Sequence, residues 1–400
     1  MKKLLFFCRY ALKDQSAGSL FESSIAAKRK IDGICDAFLL TGLRPVLFAT
    51  PLAPVGRFYA PTRIVRSESR IVVIPGAVNL FNHRALSYVV NVLWAAILAA
   101  FLVMRKPFRA TLVYNMMPDT LIPSILARLT GGDARHLIDL EEEISADTEA
   151  PALFRSFDRL TRRHLRFDGA LVAASALKRS IRAPHAVVFH GFAPVEEIES
   201  TRERCATPRA PQQPGWVAFI GRIDEMRCVS EFLSAVEGLA AEGVHFRVTV
   251  IGYCDDPGLM ETLANQVKRL QQSMPVALHF SASRQTILDT LNQCDICVSL
   301  VKENRFLESS FPSKLIEFLL YDRLIISQRV EDLQALDNFV WIPSAEVEAI
   351  RAGIVEALSR RMEPSVRHGR EWVLNHCTVH AGAQALEGLF AAMNGRESRP

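Results

Sequence analysis

The residues best suited to chemistry lie in two segments of the second half of the chain. In the first, Phe219-Ile-Gly221-Arg222-Ile-Asp-Glu-Met-Arg227-Cys-Val-Ser230, an apolar run meets a glycine, and two arginines follow five residues apart. This pattern reads as a strand, a tight turn and a helix start. It suits a diphosphate: the turn backbone can approach closely, the helix N-terminus favours an anion, and guanidinium forks grip phosphate oxygens. Two solvated surface arginines would leave the same trace in the sequence.

The second segment is Glu308-Ser-Ser-Phe-Pro312-Ser313-Lys314-Leu-Ile-Glu317-Phe-Leu-Leu-Tyr321. Pro312 suits a first helical turn, and Ser309, Ser310 or Ser313 suits its cap. Lys314 in that first turn is unfavourable to the helix unless an anion sits nearby. Glu317 follows three residues on, where its carboxylate could hold two ribose hydroxyls or simply pair with Lys314. A third acidic cluster, His136-Leu-Ile-Asp139-Leu-Glu141-Glu142-Glu143, ends an apolar run in the first half. Asp139 and Glu141, two residues apart, share one strand face, where a carboxylate could take a proton from a hydroxyl. A solvated acidic loop is the alternative.

The elements that must position these residues alternate along the chain. Front-half strands are expected at Leu4–Cys8, Pro45–Thr50, Ile71–Pro75, Thr111–Asn115, His136–Glu141, Gly169–Ala174 and Val187–His190. Back-half strands are expected at Trp216–Ile220, Arg247–Gly252, Ala277–Phe280, Ile296–Leu300, Leu324–Ser327 and Phe339–Ile342. Helical patterns such as Ser230–Ala241, Gly258–Ser273, Arg284–Asn292 and Pro312–Leu320 lie between them. Such alternation implies parallel sheets covered on both faces. The expected fold is α/β, with two doubly wound Rossmann-like parallel-sheet domains facing across a cleft. Their spans are 1–192 and 216–375, joined by a Pro-rich linker at 193–215. Residues 376–400 form a C-terminal helix that could cross back to the first domain. Ligands in such sheets bind beyond the carboxyl ends of the strands.

The run from Val217 to Ser327 resembles the donor-binding half of family 4 glycosyltransferases, enzymes of the GT-B fold, in their bacterial surface-polysaccharide form. Gly221-Arg222 with Arg227 is similar to that family's diphosphate clamp, with Arg227 where lysine is usual and Cys228 where glycine follows. Val248-Thr-Val-Ile-Gly252 and Cys294-Asp-Ile-Cys-Val-Ser299 resemble two of its strands. Phe311-Pro-Ser-Lys-Leu-Ile-Glu317-Phe318 is similar to its Pro-x-Lys-x-x-Glu-aromatic box. Asp322 stands where its next turn has glycine. Counting back from Glu317 by the family's spacing puts Ser309 at the first acidic position, with Glu308 one further out. Either a bulge brings Glu308 in, or serines and backbone N–H groups hold the sugar. In the first half, Gly18 in Asp14-Gln-Ser-Ala-Gly18-Ser19 resembles the family's donor-facing loop, and Phe189-His190-Gly191-Phe192 its domain-junction turn.

The resemblance implies a retaining, metal-independent transferase. It would move a sugar from a nucleotide diphosphate sugar to a glycan or lipid-linked acceptor, with no cofactor beyond that co-substrate. It assigns the diphosphate to Arg222, Arg227, Gly18, Ser313 and Lys314. Ribose and sugar go to Glu317, Ser309 and Ser310, and catalysis to Glu141, Asp139 and Glu308. A sugar-nucleotide epimerase of similar shape and a non-catalytic sugar-nucleotide-binding partner are the rival readings. The chain has no Asp-x-Asp, the metal clamp of the other major transferase fold.

Composition narrows the classes. A net charge of +4 over 400 residues argues against a general nucleic-acid binder, and 49% hydrophobic with 22% charged residues excludes disorder. Eight scattered cysteines fit reduced thiols in a cytoplasmic protein, and Cys294-Asp-Ile-Cys297 reads as core rather than metal. His376 and His380 show helical spacing but lack a zincin's glutamate. The apolar run before Arg9 is too short for a signal peptide. Lys and Arg exceed Asp and Glu in the first half, and the reverse holds in the second. Basic runs at Lys28-Arg-Lys30, at Arg63, Arg66 and Arg70, and at Arg155, Arg159, Arg162, Arg163 and Arg166, beside the apolar stretch Leu86–Met104, suit a peripheral position on the inner face of a membrane.

Overall fold

A computed structural model of the chain describes residues 2–10, 25–50, 58–80, 83–105, 107–131, 134–146, 150–204, 214–302, 307–308, 310–361 and 368–395. The chain divides into two compact units, Met1–Phe192 with Thr378–Pro400, and Ala193–Cys377.

The first unit contains β1 (Lys2–Cys8), β2 (Leu43–Ala49), β3 (Tyr59–Ala60), β4 (Arg63–Arg66), β5 (Ile71–Ile74), β6 (Ala77–Val78), β7 (Ala110–Tyr114), β8 (Arg135–Leu140), β9 (Gly169–Val172) and β10 (Ala186–Val188). Eight of them form one sheet in the order β10-β9-β8-β7-β1-β2-β5-β4. All neighbours are parallel except β4, which runs antiparallel to β5 at the edge. β3 and β6 make a separate antiparallel ribbon. The seven front-half strands expected from apolar runs are all in the sheet. β3, β4 and β6 were not expected, and β4 shows why: all four of its residues are exposed, so burial leaves no apolar run to read.

The second unit carries β11 (Trp216–Arg222), β12 (Arg247–Tyr253), β13 (Val276–Phe280), β14 (Ile296–Ser299), β15 (Leu324–Gln328) and β16 (Phe339–Ile342). Their order is β13-β12-β11-β14-β15-β16, every pair parallel. Strand order reverses between β1 and β7 in the first sheet and between β11 and β14 in the second. In a doubly wound sheet the carboxyl ends at such a reversal leave an open crevice.

Each unit has its own core. In the first, Leu4, Phe6 and Leu112 pack with Ile31, Phe38, Leu386 and Leu389. The last two lie on the helix Val379–Asn394, capped by the Thr378 hydroxyl on Ala381 N–H at 3.2 Å, so the chain's final helix belongs to the first unit. In the second, Phe219, Val250 and Ile326 pack with Phe232, Phe246 and Ile350.

The stretch 193–215, expected as a linker, holds a helix over Val195–Arg204 that belongs to the second unit. Pro194 stands at its start, where its carbonyl accepts from the N–H groups of Glu197 and Ile198. This proline marks a helix N-terminus rather than a spacer. Glu197 and Thr201 are buried.

Candidate functional site

In the second unit, β11 ends at Arg222, whose side chain is 65% exposed and lies 3.2 Å from Asp224 and 3.8 Å from Asp255. The chain then turns through Glu225–Arg227, capped by Asp224, which accepts Arg227 N–H at 3.0 Å. Cys228 follows with φ 52°, in the left-handed region, and leads into the helix Val229–Ala241. This is the position where the resemblance has glycine. A residue with a Cβ holds this left-handed backbone at a cost on the order of 1 kcal/mol. Register pairing sets Gly221 beside Gly252. A Cβ on Gly252 would collide with the Gly221 carbonyl oxygen and with Ile223, so only glycine lets these two strand ends approach.

The loop after β14 joins this turn across the strand-order reversal. Lys302 N–H donates to the Met226 carbonyl at 2.8 Å. Gln328 on β15 fixes that loop by accepting from Val301 N–H and donating to its carbonyl. Burial and Glu231 push the Cys228 thiol up to about 11 against the pull of Lys302 and Arg227. The sheet therefore brings Arg222, Arg227 and Lys302 to the carboxyl ends of β11 and β14. Lys302 was not expected. Nothing in its own segment marks it, because only the parallel pairing of β11 with β14 carries it there.

The helix expected from Pro312 starts at Lys314 and ends at Leu320. Ser313 holds the capping position without a side-chain cap bond, so the expected serine cap is not made there. Lys314 donates to Glu317 at 2.9 Å, and Arg284 lies 3.3 Å from the same carboxylate. Arg284 also pairs with Glu197. Glu317 is buried, so the expected surface pair with Lys314 is instead a cluster in which two partly exposed cations, Lys314 and Arg284, cover two buried carboxylates, Glu317 and Glu197. Burial opposes the Arg284 charge, but Glu317 and Glu197 outweigh it and hold the guanidinium above its usual range. Ser310 is buried and Glu308 exposed, while Ser309 and Gly18 lie outside the described residues. Asp322 has φ 49°, again left-handed where the resemblance has glycine, and accepts Arg370 N–H at 2.7 Å.

In the first unit, Asp139 and Glu141 converge on Lys30, which is 5% exposed. Lys30 lies 3.4 Å from Asp139, donates to Glu141, and donates to the Phe189 carbonyl at 3.3 Å. Asn115, left-handed at the end of β7, accepts Glu141 N–H at 2.8 Å and donates its own N–H to Asp139 O at 2.8 Å. Two carboxyls share one ammonium away from water, so one of them keeps its proton into the neutral range. Burial drives Glu141 up, Lys30 pulls it down and Asp139 raises it again, leaving it at about 8. Asp139 is likewise raised by burial. Glu141 keeps 20% exposure while Asp139 has none, so Asp139 can act only through its neighbours.

The basic runs are partly internal. Lys28 pairs with Asp32, Arg70 with Asp32 and Asp36, and Arg162 with Asp158. Cys294 and Cys297 are buried with their sulfurs 3.6 Å apart. Among the described residues no group of three or more His, Cys, Asp or Glu side chains could hold a metal ion.

Solved structures of sugar-transferring enzymes superimpose on nearly the whole chain. A sucrose-phosphate synthase from Thermosynechococcus elongatus matches with TM-score 0.70 and 12% identity, covering 99% of this chain and 100% of that one. A UDP-forming trehalose-phosphate synthase from Burkholderia vietnamiensis matches with TM-score 0.67 and 12% identity over 100% and 98%. The chain has the GT-B fold. The catalytic domain of starch synthase IV from Arabidopsis thaliana, bound to ADP and acarbose, matches with TM-score 0.62 and 10% identity, covering 99% of each chain. No family model matches the sequence, and no curated protein matches it.

Proposed function

We propose that this GT-B protein is a glycosyltransferase that moves a sugar, with retention of configuration, from a nucleotide diphosphate sugar to a glycan or lipid-linked acceptor in polysaccharide assembly. The observation that carries this reading is the placement of Arg222, Arg227 and Lys302 in the two backbone turns at the β11/β14 reversal, which the Lys302 N–H to Met226 carbonyl bond ties together. As the bond from the anomeric carbon to the diphosphate oxygen breaks, negative charge builds on the leaving diphosphate. Cations at these strand ends neutralise it there without a metal. The UDP-forming neighbour and the ADP-bound neighbour support a nucleoside diphosphate as the leaving group.

In the first unit the acceptor-side role falls to Glu141, the partly exposed carboxyl of its pair. Asp139 and Lys30 are positioning residues that set its charge. The buried Glu317 carboxylate, held by Lys314 and Arg284, is the candidate for the ribose hydroxyls.

The test is product analysis by mass spectrometry, with a panel of nucleotide sugars and lipid extracts. Release of nucleoside diphosphate together with a glycosylated lipid or glycan is expected. Conversion of donor to an isomeric nucleotide sugar without acceptor would mean an epimerase instead, and no turnover of any donor would contradict the reading.

A further inference from the structure

The helix Arg84–Arg105 is built inside out for a helix facing water. Its inward face is mostly small: Ala95, Ala96, Ala99 and Ala100 are buried together with Val92 and Val103, and the helix packs against the helix Pro118–Thr130. Its large apolar residues point outward. Leu86, Val89, Leu93, Ile97, Phe101 and Met104 recur every three or four residues and are 44–63% exposed. Trp94 is exposed beside them. A water-facing helix carries charge on that side, and here no charged residue occurs between Arg84 and Arg105.

The charge flanking the helix along the chain is of one sign, and the carboxylate that meets the helix, Asp119 at Tyr88, is buried and paired with Arg9. No Asp or Glu occurs between Glu68 and Asp119, whereas Arg70, Arg84, Arg105, Lys106 and Arg109 fall in that interval. Arg105 is exposed at the helix end, its guanidinium 4.2 Å from the Phe101 ring centroid. Arg63 and Arg66 are exposed on the edge strand β4. The ribbon of β3 and β6 is tied to the same helix, because Asn91 accepts Val78 N–H at 2.8 Å and donates to its carbonyl at 3.0 Å. That ribbon presents Tyr59, with Phe58 just before it, both more than half exposed.

We propose that this outward face docks onto the surface of an anionic lipid bilayer, the helix lying in the interface. The pattern is that of an interfacial helix: a broad apolar stripe, aromatic residues and flanking cations. The helix is long and apolar enough to cross a membrane. Crossing would, however, strip Asn91 and Ser87 from the ribbon backbone they satisfy, and would peel the alanine face from its partner helix. A second copy seated face to face would bring like charges together, whereas anionic headgroups complement them. The inference stands apart from the nucleotide site, so a soluble protein that still transferred sugar would overturn it without touching the transferase reading.

The test is co-sedimentation of the full chain with vesicles of phosphatidylcholine alone and with phosphatidylglycerol in equal parts. Binding is expected to the mixed vesicles only, and to weaken as salt rises, by roughly fivefold for each cation screened. Ile97→Glu with Phe101→Glu should lower the bound fraction roughly tenfold or more. Val355→Glu, at an exposed apolar position in the second unit, should leave it unchanged. Circular dichroism verifies that each variant is folded. Equal binding to both vesicles, no binding, or full binding by the double variant would overturn the proposal. So would self-association by light scattering that the double variant abolishes, because the face would then be covered by a second copy.

Discussion

Replacing Lys30 by methionine removes the only ammonium that faces Asp139 and Glu141 among the described contacts, and keeps the apolar stem. The Lys30 side chain is 5% exposed, and the two carboxyls are 0% and 20% exposed. Breaking a buried pair by removing one partner costs about 3–5 kcal/mol when the orphaned charge must stay. Here the carboxyls can escape by taking protons, so the cost depends on pH. Glu141, pushed up to about 8, already lies above its unfolded value. Its contribution to stability is complete below about pH 4 and is lost as pH rises through 8. Without Lys30, which pulls that value down, the loss deepens and extends to higher pH. Lys30→Met should therefore cost about 1 kcal/mol at acid pH, where little more than a hydrogen bond is missing, and about 3–5 kcal/mol at alkaline pH. Asp139→Asn in the same chain should recover much of the alkaline loss. Hydrogen exchange of peptides spanning β8 reads the first unit by itself across a urea series. A destabilisation equal at both pH extremes, or under about 0.5 kcal/mol throughout, would refute the reasoning.

Three further outcomes follow from the same geometry. Gly252→Ala puts a methyl against the Gly221 carbonyl and should cost about 2–4 kcal/mol in the second unit, together with weaker nucleotide binding, measured by chemical denaturation and calorimetry. Asp322, raised to about 6 chiefly by burial, contributes stability below about pH 4 that is lost as pH rises through 6. Asn keeps its acceptor oxygen and tolerates the left-handed backbone. Asp322→Asn should thus match wild type below about pH 4, gain on it as pH rises through 6, and keep a gain of about 1 kcal/mol above that, in denaturation across pH. If Glu141 receives the acceptor's proton, transfer rates should climb with pH through about 8, and Glu141→Gln should abolish that limb, in initial-rate profiles.

Most strands were legible because they are buried on both faces, as in β1, β2, β8, β9 and β15. Val248-Thr-Val-Ile-Gly252 reads as strand because it is short, β-branched and ends on glycine. β4 escaped because every residue in it meets water. The Arg222–Arg227 turn was legible because its parts are neighbours in sequence. Lys30 was read as one cation of a surface run, and its true partners lie more than a hundred residues away. Arg284 and Glu197, which fix Glu317, were missed for the same reason. Cys228 and Asp322 looked like departures from the resembled pattern. In both, the backbone is left-handed, a conformation that favours glycine.

The account rests on a cationic strand-end site that holds a nucleoside diphosphate. Isothermal titration of UDP, ADP, GDP and their sugar conjugates into the wild-type chain and into Arg222→Ala with Arg227→Ala tests it most directly. At least one nucleotide should bind the wild type, and the double variant, still folded, should lose roughly a hundredfold, about two charge-assisted contacts at 1.5 kcal/mol each. If no nucleotide binds the wild type, or if the variant binds it equally well, the site is not a diphosphate clamp.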